Sequence, residues 1–182
     1  MPRTDELLAN NRRYAESFEA QQAGVRAAGD GPAVDEASGR DLGTARNATV
    51  AVLACMDPRM DIYAMLGLKT GEAYVIRNAG GVVTDDAIRS IAISQRLLGT
   101  DEIMLIHHTD CGMLTFTDDA FEASVEKDTG IKPPWAAEAF TDLDDNVRES
   151  IRRIKFSLFV PRTDSVRGFV FDVSSGKLRE VS

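Results

Sequence analysis

Beyond residue 48 the chain alternates short apolar runs with longer stretches of helical spacing. Thr49–Ala54 (TVAVLA), Ala73–Ile76 (AYVI) and Ile103–Ile106 (IMLI) are nearly continuous apolar runs, which predicts strands buried on both faces. Gly168–Val173 (GFVFDV) alternates aromatic and aliphatic residues and predicts a fourth strand. Helical patterns fall at Asp61–Leu66, at Thr84–Leu98 and at Asp142–Ile154. Thr84 is a natural N-cap for the second of these, and Gly99 stands just past its end. The final VSSGKLREV predicts a turn into a short strand.

Strands alternating with helices specify an α/β domain. The expectation is a central, mainly parallel sheet of about four strands flanked by helices, with an antiparallel edge strand near the C-terminus. Ahead of it, residues 5–20 predict an N-terminal helix with Leu7, Leu8, Tyr14 and Phe18 roughly on one side. Residues 22–48, rich in Gly, Ala and Asp, have no period and predict a flexible arm. The expected division is therefore 1–48 for helix and arm and 49–182 for the α/β domain. No internal repeat is visible.

Composition narrows the function. Hydrophobic residues at 43% and charged residues at 27% suit a soluble globular protein. The 21 basic and 29 acidic side chains leave a net charge of −8, which argues against nucleic acid as a partner. No apolar run approaches the roughly 20 residues of a membrane-spanning helix. MPRTDELLANNRRYAESFEA has no apolar h-region, so the expectation is a cytoplasmic protein.

The chemistry concentrates in two segments. Cys55-Met56-Asp57-Pro58-Arg59 follows the first strand, and His108-Thr109-Asp110-Cys111-Gly112 follows the third. Both then lie at carboxyl ends of parallel strands, where open α/β sheets carry their sites. If those strands are neighbours, Cys55, His108 and Cys111 converge, and two thiolates with one imidazole suit Zn²⁺. Three protein ligands leave a tetrahedral position open, the mark of a catalytic zinc.

Asp57 is the candidate fourth ligand, and Arg59 is spaced to hold it instead through a bidentate pair. Held, Asp57 leaves the metal to water; released, it shuts the site. Two thiolates make the metal formally neutral, so its water should titrate above the value near 7 typical of a three-histidine zinc. The backbone N–H of Gly112 is placed to hold a product oxygen. The turn Arg77-Asn78-Ala79-Gly80-Gly81 can bring backbone close to the site, with Gly80 as the second substrate-contact candidate.

Together, Cys-x-Asp-x-Arg, Arg-Asn-Ala-Gly and His-x-x-Cys-Gly, each after a strand and in this order, resemble the β-class carbonic anhydrases. The likeness is to the short prokaryotic members, which carry a similar HHTDCGM segment, and is strong over residues 49–116. It implies a zinc lyase: reversible hydration of carbon dioxide to bicarbonate and a proton by zinc-bound hydroxide. Zinc would sit on Cys55, His108 and Cys111, with an Asp57–Arg59 dyad keeping the site open. It also implies a homodimer or dimer of dimers, with the N-terminal helix over the partner. Some members carry a regulatory bicarbonate site with Trp three residues before the first Cys; Val52 stands there, so that site is not expected.

Each residue also has a plainer reading. Free Cys is commonly an inert buried thiol. His107 continues its strand and should point opposite to His108, as a packed or hydrogen-bonded residue. Asp57–Arg59 could be an ordinary surface pair, Asp110 a turn cap, and Gly80 and Gly81 mere turn formers. Asp118, Asp119, Glu122 and Glu126 read as a solvated helix face, and Trp135 as loop packing. Two competing functions remain: hydrolysis of carbon disulfide or carbonyl sulfide on the same site, and a non-catalytic zinc-binding protein with Asp57 as permanent ligand.

Overall fold

The computed structural model describes residues 48–182. The helix expected over 5–20, and the expected arm up to residue 47, lie outside the described residues.

Five strands form one sheet: β1 (Val50–Cys55), β2 (Ala73–Asn78), β3 (Glu102–His108), β4 (Val166–Phe171) and β5 (Leu178–Val181). Their order is β2-β1-β3-β4-β5. The first four run parallel and β5 pairs antiparallel with β4, as the alternation of runs and helices predicts. From β1 the chain crosses one way to β2, then back past β1 to β3. The connection therefore reverses direction between β1 and β3, and such a switch point opens a crevice at the carboxyl ends of the two strands.

The helices are α1 (Ile62–Leu66), α2 (Asp85–Leu97), α3 (Asp118–Thr129) and α4 (Leu143–Lys155). Each starts on a capped N-terminus. Asp61, Thr84, Thr117 and Asp142 accept from the backbone N–H three residues on, satisfying one otherwise orphaned donor per helix. α2 and α4 cover one face of the sheet, where Ile88, Ile91 and Ile154 pack on Leu53, Ile103 and Leu105. The other face packs Val52, Ala54 and Ile106 with Met60 and Ile62 of the α1 region and with Met113 and Phe140. Both faces are dry, which explains why β1 and β3 read as continuous apolar runs.

Gly168 of β4 lets α4 lie close, since a Cβ there would overlap Val147 Cγ1 and stand 2.9 Å from Ile151 Cδ1. Strand limits differ from the apolar runs at their ends. β2 and β3 run on through Asn78 and His108, because ladder pairing and not apolarity ends a strand. β4 starts earlier and stops at Phe171, because the Asp172 carboxylate turns the chain by accepting from Ser174 and Ser175.

The acidic positions expected on a solvated helix do form α3, none of whose residues is buried. Two of them do more than face water. Asp118 accepts from the backbone N–H groups of Glu138 and Ala139 at 3.2 and 2.7 Å, pinning the following loop, and Glu122 pairs with Lys132 at 2.8 Å. Trp135 sits in that loop with its ring centroid 6.1 Å from Phe121. Among the described residues no helix is long and apolar enough to cross a membrane.

Candidate metal centre and active site

β1 and β3 are neighbours, with Leu53 opposite Leu105 and Ala54 opposite Ile106, so their carboxyl ends lie side by side. Cys55 closes β1 and His108 closes β3. Cys111 returns after a tight loop and leads into a short 3₁₀ turn over Gly112–Leu114. The ligand atoms of Cys55, His108 and Cys111 all lie within 4.8 Å of one another, and all three residues are buried. No other group of this kind is found among the described residues.

The histidine carries the clearest indication. His108 Nδ1 is 2.8 Å from the carbonyl oxygen of Thr109, which accepts its proton and fixes the tautomer. Nε2 is then a bare lone pair, and it is buried without a hydrogen-bond partner. An unsatisfied buried acceptor costs about 1–3 kcal/mol unless something fills it, and a bound cation would do so here. The two cysteines are free thiols. Cys55 is drawn down as a thiolate, first by a hydrogen bond from Cys111 and, against burial, by His108 as well. Cys111 is pushed up by that thiolate and by burial. Two thiols too close to ionise together are what a soft divalent cation relieves, so the residues fit a metal.

Asp57 is held away from this cluster. Its Oδ1 accepts from Arg59 N and Nε at 2.9 Å each, and its Oδ2 accepts from Arg59 Nη2 at 2.8 Å. The Arg59 guanidinium holds the Asp57 carboxyl well below the usual carboxylate range. Asp57 Oδ2 still stands only 3.7 Å from His108 Nε2, at the edge of the cluster. Asp110 is not the turn cap that one sequence reading offered. Its carboxylate and carbonyl both face Arg59, with Nη1 to Oδ2 at 2.7 Å and Nη2 to the backbone oxygen at 3.0 Å.

The cluster floors a cavity of about 350 Å³. Asp57, Gly80 and Gly112 line it, and Met56, Pro58, Ala79, Met113 and Phe116 make much of the wall apolar. Gly80 has φ +79° and Gly81 φ +71°, and their turn packs directly on the strand ends. A Cβ on Gly81 would stand 2.8 Å from Cys55 N, and one on Gly80 would stand 3.0 Å from Met113 Cγ. The turn needs both glycines for close approach.

His107 points to the other face, as strand alternation requires, and its Nε2 is 2.7 Å from Asn146 Oδ1 on α4. The residue that sequence reading passed over is Arg77. From the end of β2 its Nε and Nη2 donate to Cys55 O at 3.0 and 2.8 Å, and Nη2 also donates to Asp57 O at 2.6 Å. The available signal was its place: a cation at a strand end, in register with Ala54 beside the first candidate ligand.

The family model for carbonic anhydrase matches residues 50–155. The β-carbonic anhydrase 1 of Mycobacterium tuberculosis is 53% identical over 179 residues, covering 98% of this chain and 98% of that protein. A carbon disulfide hydrolase of Acidithiobacillus thiooxidans is 32% identical over 161 residues, covering 77% of this chain and 80% of that protein. Among solved structures, a carbonic anhydrase from Streptococcus mutans matches with TM-score 0.72 and 37% identity, over 93% of this chain and 97% of that one.

Proposed function

This chain belongs to the β-carbonic anhydrase family, and we propose that Cys55, His108 and Cys111 hold zinc at the floor of the strand-end cavity. It is a carbonic anhydrase, and its reaction is the reversible hydration of carbon dioxide to bicarbonate and a proton. The observation that carries the zinc reading is the buried, unpartnered Nε2 of His108 facing two thiols. When bound, zinc would supply Lewis acidity that makes a water molecule nucleophilic, at a pH above that of a three-histidine zinc because two thiolates offset the metal's charge.

The chain's own residues do the rest. Asp57, kept ionised by Arg59, can only accept hydrogen bonds, so it orients the attacking water by taking one of its protons in a hydrogen bond. Arg59 keeps that carboxylate from occupying the open position. The backbone N–H of Gly112 holds a product oxygen, and Gly80 shapes the opposite wall. The apolar walls at Met56, Ala79, Met113 and Phe116 suit an uncharged linear molecule better than a competing ion. The proton leaves to buffer.

The same walls favour a second reading, hydrolysis of carbon disulfide or carbonyl sulfide, in line with the hydrolases among the relatives. The non-catalytic reading, with Asp57 as permanent ligand, gives way to family membership and to Arg59's hold on Asp57. The proposal also takes 49–182 as the zinc-binding domain, in a cytoplasmic homodimer or dimer of dimers. Metal analysis together with stopped-flow CO₂ hydration tests the core of it. One zinc per chain and turnover that rises with pH are expected. Turnover without zinc, or hydrogen sulfide release from carbon disulfide that outpaces CO₂ hydration, would replace it.

A further inference from the structure

The ion pair between Asp57 and Arg59 joins two residues of one loop, two positions apart. The backbone N–H of Arg59 also holds Asp57 Oδ1 at 2.9 Å, but every one of these bonds lies within a single loop, and none ties the guanidinium to the rest of the molecule. Arg59 is 43% exposed, so packing alone does not fix it. What ties it down is the second loop. Asp110 lies between His108 and Cys111, and it offers Arg59 two acceptors, Oδ2 at 2.7 Å and its backbone oxygen at 3.0 Å. Its φ of +56° puts it in the left-handed region, which Asp enters more readily than most residues though glycine does so more freely. That turn aims carboxylate and carbonyl at the same guanidinium. Four of the guanidinium's hydrogen bonds are thereby divided evenly between the two loops.

We propose that Asp110 is a positioning residue: it anchors Arg59 to the loop after β3, and through Arg59 it keeps Asp57 turned away from the metal. The proposal rests on the role given above to Asp57 and Arg59. It explains why a strained, non-glycine residue occupies the position, and why its 79% exposed carboxylate matters despite its exposure. An exposed ion pair does little for the stability of the fold. Here its effect falls on an equilibrium between two positions of one side chain, where a small bias changes how often the site is open.

The test substitutes cobalt for zinc and titrates azide into the protein at pH 8, following the d–d absorption bands, so that access to the open position is read without turnover. Wild type, Arg59→Ala, Asp110→Ala, Asp110→Gly and Asp110→Asn are compared, with kcat/KM for CO₂ and Tm recorded alongside. Arg59→Ala should weaken azide binding most. Asp110→Ala should weaken it roughly two- to fivefold, the range an exposed ion pair supports. Asp110→Gly should weaken it equally while Tm holds or rises, since glycine relieves the left-handed turn, which separates anchoring from misfolding. Asp110→Asn keeps an acceptor for Nη1 and should recover part of the loss. If Asp110→Ala and Asp110→Gly bind azide like wild type while Arg59→Ala does not, the proposal is overturned and the dyad stands. If Arg59→Ala also binds like wild type, the role of the dyad falls first and takes this proposal with it.

Discussion

The cavity at the strand ends, about 350 Å³, is less than half the size of the groove on the outer side of α2 and the segment after α4, about 930 Å³. Large apolar side chains stand out into solvent in or beside the groove, with Phe156, Leu158, Phe159 and Leu97 at 81%, 92%, 70% and 64% exposure. Its arginines are already engaged: Arg89 pairs with Asp86, Arg153 with Glu138 and Asp85, and Arg96 donates to Phe159 O. The small cavity instead concentrates two thiols, a histidine with a vacant lone pair and a restrained carboxylate within a few ångströms. Chemistry is located by unsatisfied groups brought together, and not by the volume around them.

The largest effects should follow substitution at the cavity floor. Cys111→Ala or His108→Ala should abolish stoichiometric zinc and lower CO₂ hydration about a thousandfold or more, since the nucleophile depends on the metal. Full zinc by elemental analysis in either variant, with activity retained, would break the contrast between the two hollows. Next comes Arg59→Ala, with zinc retained and kcat/KM down about 10- to 100-fold, the usual cost of losing a group that supports a ligand shell. Retained kcat/KM in that variant would mean that Asp57 stays clear of the metal without help.

Much of this was legible in the residues. Continuous apolar runs mark strands buried on both faces, the cap Thr84 marks the start of α2, and helical spacing marks α1 and α4, so the sheet and three of its helices could be read directly. The convergence of Cys55 with His108 and Cys111 was legible only conditionally, because it depends on β1 lying next to β3. Strand order is a long-range property that local pattern does not encode. The side chain of Arg77 was missed, and Asp110 was singled out without its partner, for the same reason: each acts on a loop distant in sequence, Arg77 on Cys55 and Asp57, Asp110 on Arg59. The carboxylate of Asp118 also escaped, since a helix-start acid gives no local sign of the loop it will pin twenty residues on.

Away from the cavity, effects should appear in stability or association and not in chemistry. Gly168→Ala forces a methyl group into Val147 and Ile151 of α4 and should cost about 1–3 kcal/mol, read as a fall in Tm, while the zinc content of the folded fraction is unchanged. In the groove, Phe156→Ser should shift stability by no more than about 0.5 kcal/mol and leave kcat/KM within about twofold, because the side chain is already in water. Sedimentation is the measurement that should respond, since an exposed apolar patch of this kind favours association. A large loss of turnover in Phe156→Ser would tie the two hollows together.

The smallest effect sets the two adjacent histidines against each other. His108 belongs to the cavity, whereas His107 is buried on the α4 face against Asn146 and Phe140. Burial pushes the His107 pKa below its ordinary 6.5, and the Asn146 hydrogen bond and the Cys55 charge only partly oppose this. The unfolded chain therefore takes up a proton near pH 6.5 that the folded chain still refuses. Stability from this group is fully present above about 6.5 and declines as pH falls below it, with a slope of at most about 1.4 kcal/mol per pH unit. His107→Gln can keep a hydrogen bond to Asn146 but cannot titrate, so its stability should fall less steeply between pH 6.5 and 5 than that of wild type. Loss of metal in acid and the cavity residues are common to both proteins and cancel in the difference. Parallel curves from denaturant melts across that range would show that His107 is protonated in the fold, and that the dry α4 face admits a charge.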